Sequence, residues 1–183
     1  QEYDKYVKDV YTQLPNKGLE EIKEMYSSLE YNSVEELGRN IRQYLATSTV
    51  YSTTSTRVPR GTDFVDFFLK STKQGFCTHY ATAATVMFRA AGVPARYVEG
   101  YLVFPSDYEN SKGNTVKTDL SGVGKSGTQD SVVVNISDNN AHAWVEYYKE
   151  GVGWVPFEVT PGFYTENVTQ VNPEPEPQPQ PEE

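Results

Sequence analysis

Three side chains in this 183-residue chain have the types and order needed for nucleophilic chemistry: Cys77, His142 and Glu158. Cys77 is the only cysteine, set in Gly75-Phe76-Cys77-Thr78-His79-Tyr80-Ala81, where a turn runs into a helical pattern. A thiol in the first turn of a helix meets the positive end of the helix dipole, which lowers its pKa from about 8.5 and favours the thiolate. The glycine just upstream allows a tight turn, and N–H groups of the first turn can receive a developing oxyanion. Gln74 is the weaker candidate for a second donor. Taken alone, a solitary cysteine is more often a small buried hydrophobe than a nucleophile; here its neighbours favour the nucleophile.

The chain has two histidines. Residues i and i+2 of a helix point to different faces, so His79 is a poor partner for Cys77 and is expected to be a hydrogen-bonded packing residue. His142 begins a strand and can approach from a sheet, which makes it the predicted base for the thiol proton. Glu158 falls on the strand after a hairpin turn, where its carboxylate can fix the tautomer of His142 and stabilise the imidazolium. Glu146 is a rival on the His142 strand, but four residues of strand put it about 13 Å away. Cys77, His79, His142 and a carboxylate lack the paired spacings of structural zinc sites, and the acidic residues lack EF-hand spacing. The expectation is therefore no metal and no cofactor.

These residues need elements to hold them. Leu19, Ile22, Met25, Tyr26 and Leu29 recur at helical spacing among Glu and Lys, and Ser33-Val34-Glu35-Glu36 has the form of a capping box before Leu37, Ile41, Tyr44 and Leu45. Residues 1–48 thus read as a helical segment packed on a core. Residues 51–60 suit an extended connector, and residues 63–70 a short helix. Residues 77–91 form the strongest helical pattern, alanine-rich and stopped by Gly92-Val93-Pro94, which predicts a central buried helix. Residues 95–104, 131–136, 143–148 and 154–159 are rich in β-branched and aromatic residues and read as strands, the last two joined by a hairpin at residues 149–153. Residues 105–130 show little periodicity and read as a long surface loop bordering the cleft. Helices, then one central helix, then hairpin-linked strands predict an α+β fold with an antiparallel sheet packed on the Cys77 helix.

Composition narrows the function classes. The formal charge of −9 falls to −5 once the four glutamates of residues 173–183, PEPEPQPQPEE, are set aside. A mildly acidic domain disfavours nucleic acid and anionic lipid as partners. One cysteine rules out an internal disulfide, and no apolar run approaches the roughly 20 residues that span a bilayer. Alternating proline makes residues 168–183 an extended linker, leaving residues 49–167 as the expected catalytic core.

The ordered set Phe67-Phe68-Leu69, Gly75-Phe76-Cys77-Thr78-His79-Tyr80-Ala81, Gly92-Val93-Pro94-Ala95-Arg96-Tyr97-Val98-Glu99-Gly100-Tyr101, His142-Ala143-Trp144-Val145-Glu146 and Gly153-Trp154-Val155-Pro156-Phe157-Glu158 resembles the transglutaminase-like superfamily, in its bacterial extracytoplasmic branch. The resemblance implies a papain-like α+β fold and a Cys, His, Asp triad in that chain order. Carried over by position, Cys77 is the nucleophile, His142 the base, and Glu158 stands where aspartate is usual, one methylene longer. It further implies that the proline-rich stretch is a stalk leading to a membrane helix outside this segment, at a bacterial cell surface. The expected reaction is acyl transfer from a glutamine or peptide amide of a protein or peptide substrate through a thioester. The alternatives are a peptidase or amidase that uses water, and a surface binding module with an aromatic groove. Trp144 and Trp154 are expected to pack around the triad and keep water from the thioester.

Overall fold

The structure, a computed structural model, describes residues 2–54 and 56–164; the proline-rich stretch lies outside them. By its contacts the chain divides into two compact units, one formed by the residues up to Glu99 together with those from Ala143, the other by Gly100–His142. Among the described residues no helix is long and apolar enough to cross a membrane.

The first unit is built on helices. After α1 (Glu2–Tyr11), α2 (Glu20–Ser27) and α3 (Val34–Ser48) carry the apolar stripes. Ser33 caps α3 by accepting the Glu36 N–H at 3.1 Å, but the Glu36 carboxylate reaches back to Asn32 rather than to Ser33, so the capping box is only half realised. A two-residue strand β1 (Val50–Tyr51) follows. Then α4 (Phe64–Asp66), capped by Asp63, runs into a π-helical turn, Phe67–Thr72. Next, β2 (Gln74–Gly75) pairs in parallel with β1 and leads straight into α5 (Cys77–Ala90).

Helix α5 is the centre of the core. Tyr80, Ala83, Ala84, Met87 and Phe88 are wholly buried, and the alanines let α2 and α3 pack closely on it. Beyond it lie β3 (Ala95–Tyr101), β6 (Ala141–Lys149) and β7 (Gly153–Phe157), a three-stranded sheet in the order β3-β6-β7. β6 and β7 are antiparallel, from Lys149 opposite Gly153 to Val145 opposite Phe157. Phe88 meets Tyr147 at 5.6 Å and Phe157 at 6.0 Å between ring centres, which seats α5 on the sheet. The expected α+β class and the sheet behind the Cys77 helix are both present.

The second unit departs from expectation. Residues 105–130 are not a loop: they form α6 (Pro105–Ser111), β4 (Thr115–Asp119) and the start of β5 (Thr128–Val132). The strand expected at residues 131–136 ends at Val132 and is the second arm of a β4–β5 hairpin. The reason it escaped detection is physical: every residue of β4 is exposed, so there is no buried face and no hydrophobic alternation to read. Its backbone ladder is supplemented by polar cross-strand pairs, Lys117 to Asp130 at 3.3 Å and Thr118 to Ser131 at 2.8 Å.

One contact joins the N-terminal helices to the sheet without slack. A Cβ on Gly38 of α3 would fall 2.7 Å from Phe157 Cζ and 2.9 Å from Cε2, so α3 lies against the Phe157 ring at a separation only glycine permits. Gly38→Ala is therefore expected to lower stability by about 1–3 kcal/mol through overpacking, outweighing a gain of roughly 1 kcal/mol in helix propensity. Urea denaturation reads this as a lower midpoint at unchanged slope; an unchanged or raised midpoint would mean that the Phe157 ring yields freely.

Candidate active site

Cys77 is the first residue of α5 and is half-buried. The short parallel ladder fixes the chain just before it: the Val50 N–H donates to Lys73 O and the Ser52 N–H to Gly75 O, each at 2.8 Å. Two phenols flank the thiol. Burial first, then the charge of Cys77, raises the Tyr51 hydroxyl above its ordinary value. Tyr97 is pushed up to about 12 by burial first and then by its hydrogen bond to Glu99, with Cys77 adding to the rise. Both phenols are therefore neutral donors at physiological pH.

His79 does not serve as a base in this arrangement. Its Nδ1 accepts the Phe76 N–H at 3.3 Å, which caps the helix that Cys77 opens. Its ring stacks on Phe64 at 4.7 Å and meets Phe76 edge-on at the same distance. A Cβ on Gly75 would lie 2.5 Å from His79 Cγ, so the glycine before the cysteine is required by this ring. His79 is 7% exposed, and burial lowers its pKa below the ordinary 6.5, so it stays neutral. The packing role expected of it is what the structure contains.

His142 is the second residue of β6 and is 4% exposed. Asn140, just upstream, sets the start of that strand: its Nδ2 donates to Leu102 O and to Asp107 Oδ2, both at 2.9 Å, and its Oδ1 accepts the Ser137 N–H at 3.0 Å. Glu158 immediately follows β7. The antiparallel register sets Phe157, the last residue of β7, opposite Val145 of β6. Glu158 Oε1 accepts the N–H groups of Val159 at 2.9 Å and Thr160 at 2.7 Å, and its carbonyl accepts Arg42 Nε at 2.9 Å and Nη2 at 2.8 Å. The Arg42 guanidinium in turn lies over Phe157 at 4.5 Å. The rival Glu146 is occupied elsewhere, holding Arg96 at 2.7 Å and 2.6 Å from Nε and Nη2.

Comparison with known proteins settles the family. The Transglutaminase-like superfamily core matches residues 23–159, three-quarters of the chain. The chain belongs to the transglutaminase-like superfamily. It is 31% identical over 159 residues to the uncharacterized protein YebA of Bacillus subtilis, which covers 85% of this chain and 19% of that protein. It is 36% identical over 110 residues to a protein-glutamine gamma-glutamyltransferase of Pseudomonas aeruginosa, covering 60% of this chain and 13% of the relative. Among solved structures it resembles the periplasmic domain of TgpA from Pseudomonas aeruginosa, with 28% identity and a TM-score of 0.59 over 85% of this chain and 47% of that one. The chain thus spans a fifth or less of these curated relatives and about half of the TgpA domain.

Within this transglutaminase-like core, one aromatic expectation is corrected. Trp154 does not pack around Cys77. Its Nε1 donates to the Tyr3 hydroxyl at 3.0 Å, its ring meets Tyr11 at 4.8 Å and Tyr148 at 5.4 Å, and Arg96 lies over it at 4.3 Å. It fastens α1 to the hairpin, a role its strand position alone does not disclose. Arg42 and Asn140 also went unread in the sequence. Each reaches a backbone carbonyl far along the chain, Arg42 that of Glu158 and Asn140 that of Leu102, and such a contact leaves no spacing signal. Among the described residues no group of three or more His, Cys, Asp or Glu is placed to hold a metal ion.

His79 gives a pH test. Its native pKa is depressed, so the unfolded chain binds the proton more readily; the stabilisation is complete above about 6.5 and is lost as pH falls below that value. Stability of the wild type is expected to decline from pH 7 towards 5.5, and the decline is expected to be shallower in His79→Gln. Parallel urea titrations of the two proteins check it; identical slopes would show that burial of His79 does not govern the trend.

Proposed function

We propose that this domain catalyses cysteine-dependent acyl transfer through a thioester, with Cys77 as nucleophile, His142 as base and acid, and Glu158 as the carboxylate that orients His142. The observation that carries the reading is the position of the single thiol: first residue of a buried helix, in a transglutaminase-like core whose neighbouring histidine is already committed to capping. A relative named as a protein-glutamine gamma-glutamyltransferase supports glutamine as the acyl donor. The similarity to a periplasmic domain supports an extracytoplasmic setting; membrane attachment through segments outside this one is part of the proposal.

In the proposed cycle the Cys77 thiolate attacks the donor carbonyl and forms the C–S bond, while imidazolium His142 gives its proton to the leaving nitrogen. Backbone N–H groups of the first turn of α5 receive the oxyanion. Ammonia departs from a glutamine side chain, and His142 is left neutral. An acceptor then attacks the thioester, its proton passes to His142, the C–S bond breaks and the thiolate–imidazolium pair returns. With a lysine amine the product is a cross-link; with water the acyl group is hydrolysed.

The activated thiol is the first thing to measure. At pH 6 an ordinary thiol with pKa about 8.5 is only about 0.3% thiolate, so iodoacetamide is expected to label Cys77 at least about tenfold faster than a free cysteine, and His142→Ala to abolish that advantage. Labelling no faster than a free thiol, insensitive to His142, sinks the nucleophile. Glu158→Gln is expected to lower turnover by about a hundredfold or more, and Glu158→Asp to retain most of it. Incorporation of a fluorescent amine into a glutamine-bearing protein, scored against ammonia release, separates transferase from hydrolase; no turnover of any donor would favour a binding module.

A further inference from the structure

We propose that Glu99, oriented by Tyr97, forms the subsite that receives the amine acceptor as its ammonium ion beside Cys77. This deepens the acyl-transfer reading above and rests on it. The route from thiol to carboxylate is short and continuous. Thr78 directly follows Cys77 in α5, and its Oγ1 lies 3.5 Å from the Tyr97 hydroxyl. That hydroxyl donates to Glu99 Oε1. Tyr97 and Glu99 are two residues apart on β3 and so share the face of the strand that meets the start of α5.

The charge balance of β3 separates Glu99 from its neighbours. Arg96 on the other face of the strand is spent on Glu146, a partly buried ion pair that is closed to solvent cations. Glu99 is exposed, and among the described residues no lysine or arginine neutralises it; the hydroxyl of Tyr97 donates to it. Because the Tyr97 phenol remains neutral, the pair keeps a net negative charge. A negative group close to a thiolate works against the nucleophile by like-charge repulsion, so its presence there calls for a compensating use. Once Cys77 is acylated its charge is gone and that cost vanishes. The carboxylate then attracts a cation at the stage when an amine is needed.

A lysine side chain arrives as an ammonium ion, and an ammonium ion cannot attack a carbonyl. At this subsite Glu99 would hold the cation, which releases one proton to solvent base. The neutral nitrogen then attacks the thioester carbon and passes a second proton to His142, and the C–S bond breaks to regenerate the thiolate. Water needs no such subsite, so the same carboxylate biases the acyl-enzyme towards primary amines.

The test compares a cationic amine, dansylcadaverine, with hydroxylamine, which is neutral near pH 7, on one glutamine-bearing donor. In Glu99→Gln the ratio of dansylcadaverine to hydroxylamine incorporation is expected to fall about fivefold, the size of a screened interaction between unit charges near a protein surface. A second reading does not depend on turnover: the ratio of Cys77 modification rates by a cationic and an anionic methanethiosulfonate is expected to fall by about the square of that factor in the variant, because the two reagents differ by two unit charges. Unchanged ratios in both assays overturn the subsite while leaving the transferase reading in place. Wild-type protein that releases ammonia from the donor but joins it to neither amine defeats the transferase reading, and the subsite with it.

Discussion

Because Tyr80, Ala83, Ala84, Met87 and Phe88 are shut off from solvent together, α5 can neither shift along its axis nor turn about it without opening the core on several sides at once. Deleting even one large side chain from such a position typically costs about 3–5 kcal/mol, a large share of the stability of a domain this size. The helix is thus a fixed axis, and its first residue is a fixed point in space. What varies is how the chain reaches that point. The β1–β2 ladder holds the backbone before Cys77, and the Phe76 N–H is satisfied by His79. The thiol is therefore delivered by rigid elements on both sides, the condition a nucleophile needs if its partners are to meet it in one geometry.

The helices before this core are not an appendage to it. Gly38 and Arg42 lie one helical turn apart on α3 and address consecutive residues, the Phe157 ring and the Glu158 carbonyl. The first fixes the depth of the strand end and the second its direction. The Glu158 carboxylate is held in addition by the turn that follows it, so the residue is restrained through both backbone and side chain.

How much of this could be read beforehand follows from where each signal lives. Helix α5 and the β6–β7 hairpin carry buried faces and turn residues, so periodicity and glycine placement disclose them; helical geometry likewise separates His79 from the face of Cys77, and His79 is a capping and packing residue. The hairpin of β4 and β5 has no buried face, and its polar sequence is indistinguishable from a loop until the backbone ladder is seen. Arg42 and Asn140 were silent for another reason. Arg42 reaches the carbonyl of Glu158 and Asn140 that of Leu102 along with the Asp107 carboxylate, all distant in sequence, and a carbonyl has no residue identity for a pattern to recognise. Trp154 shows the converse: the residue type was conspicuous, but the strand position alone did not reveal that its contacts are with α1.

The setting of Trp154 has an optical consequence. The chain has two tryptophans, and this one sits beneath a guanidinium, within about 5 Å of two tyrosine rings, and hydrogen-bonded to a third from α1. Tyrosine excitation in that cluster is transferred to the indole, and the nearby cation and the Tyr3 bond shape its emission. Undocking of α1 removes Tyr3 and Tyr11 while leaving Tyr148 and Arg96 in place. The intrinsic fluorescence of the protein is therefore a built-in gauge of whether its first helix is seated, legible without any label.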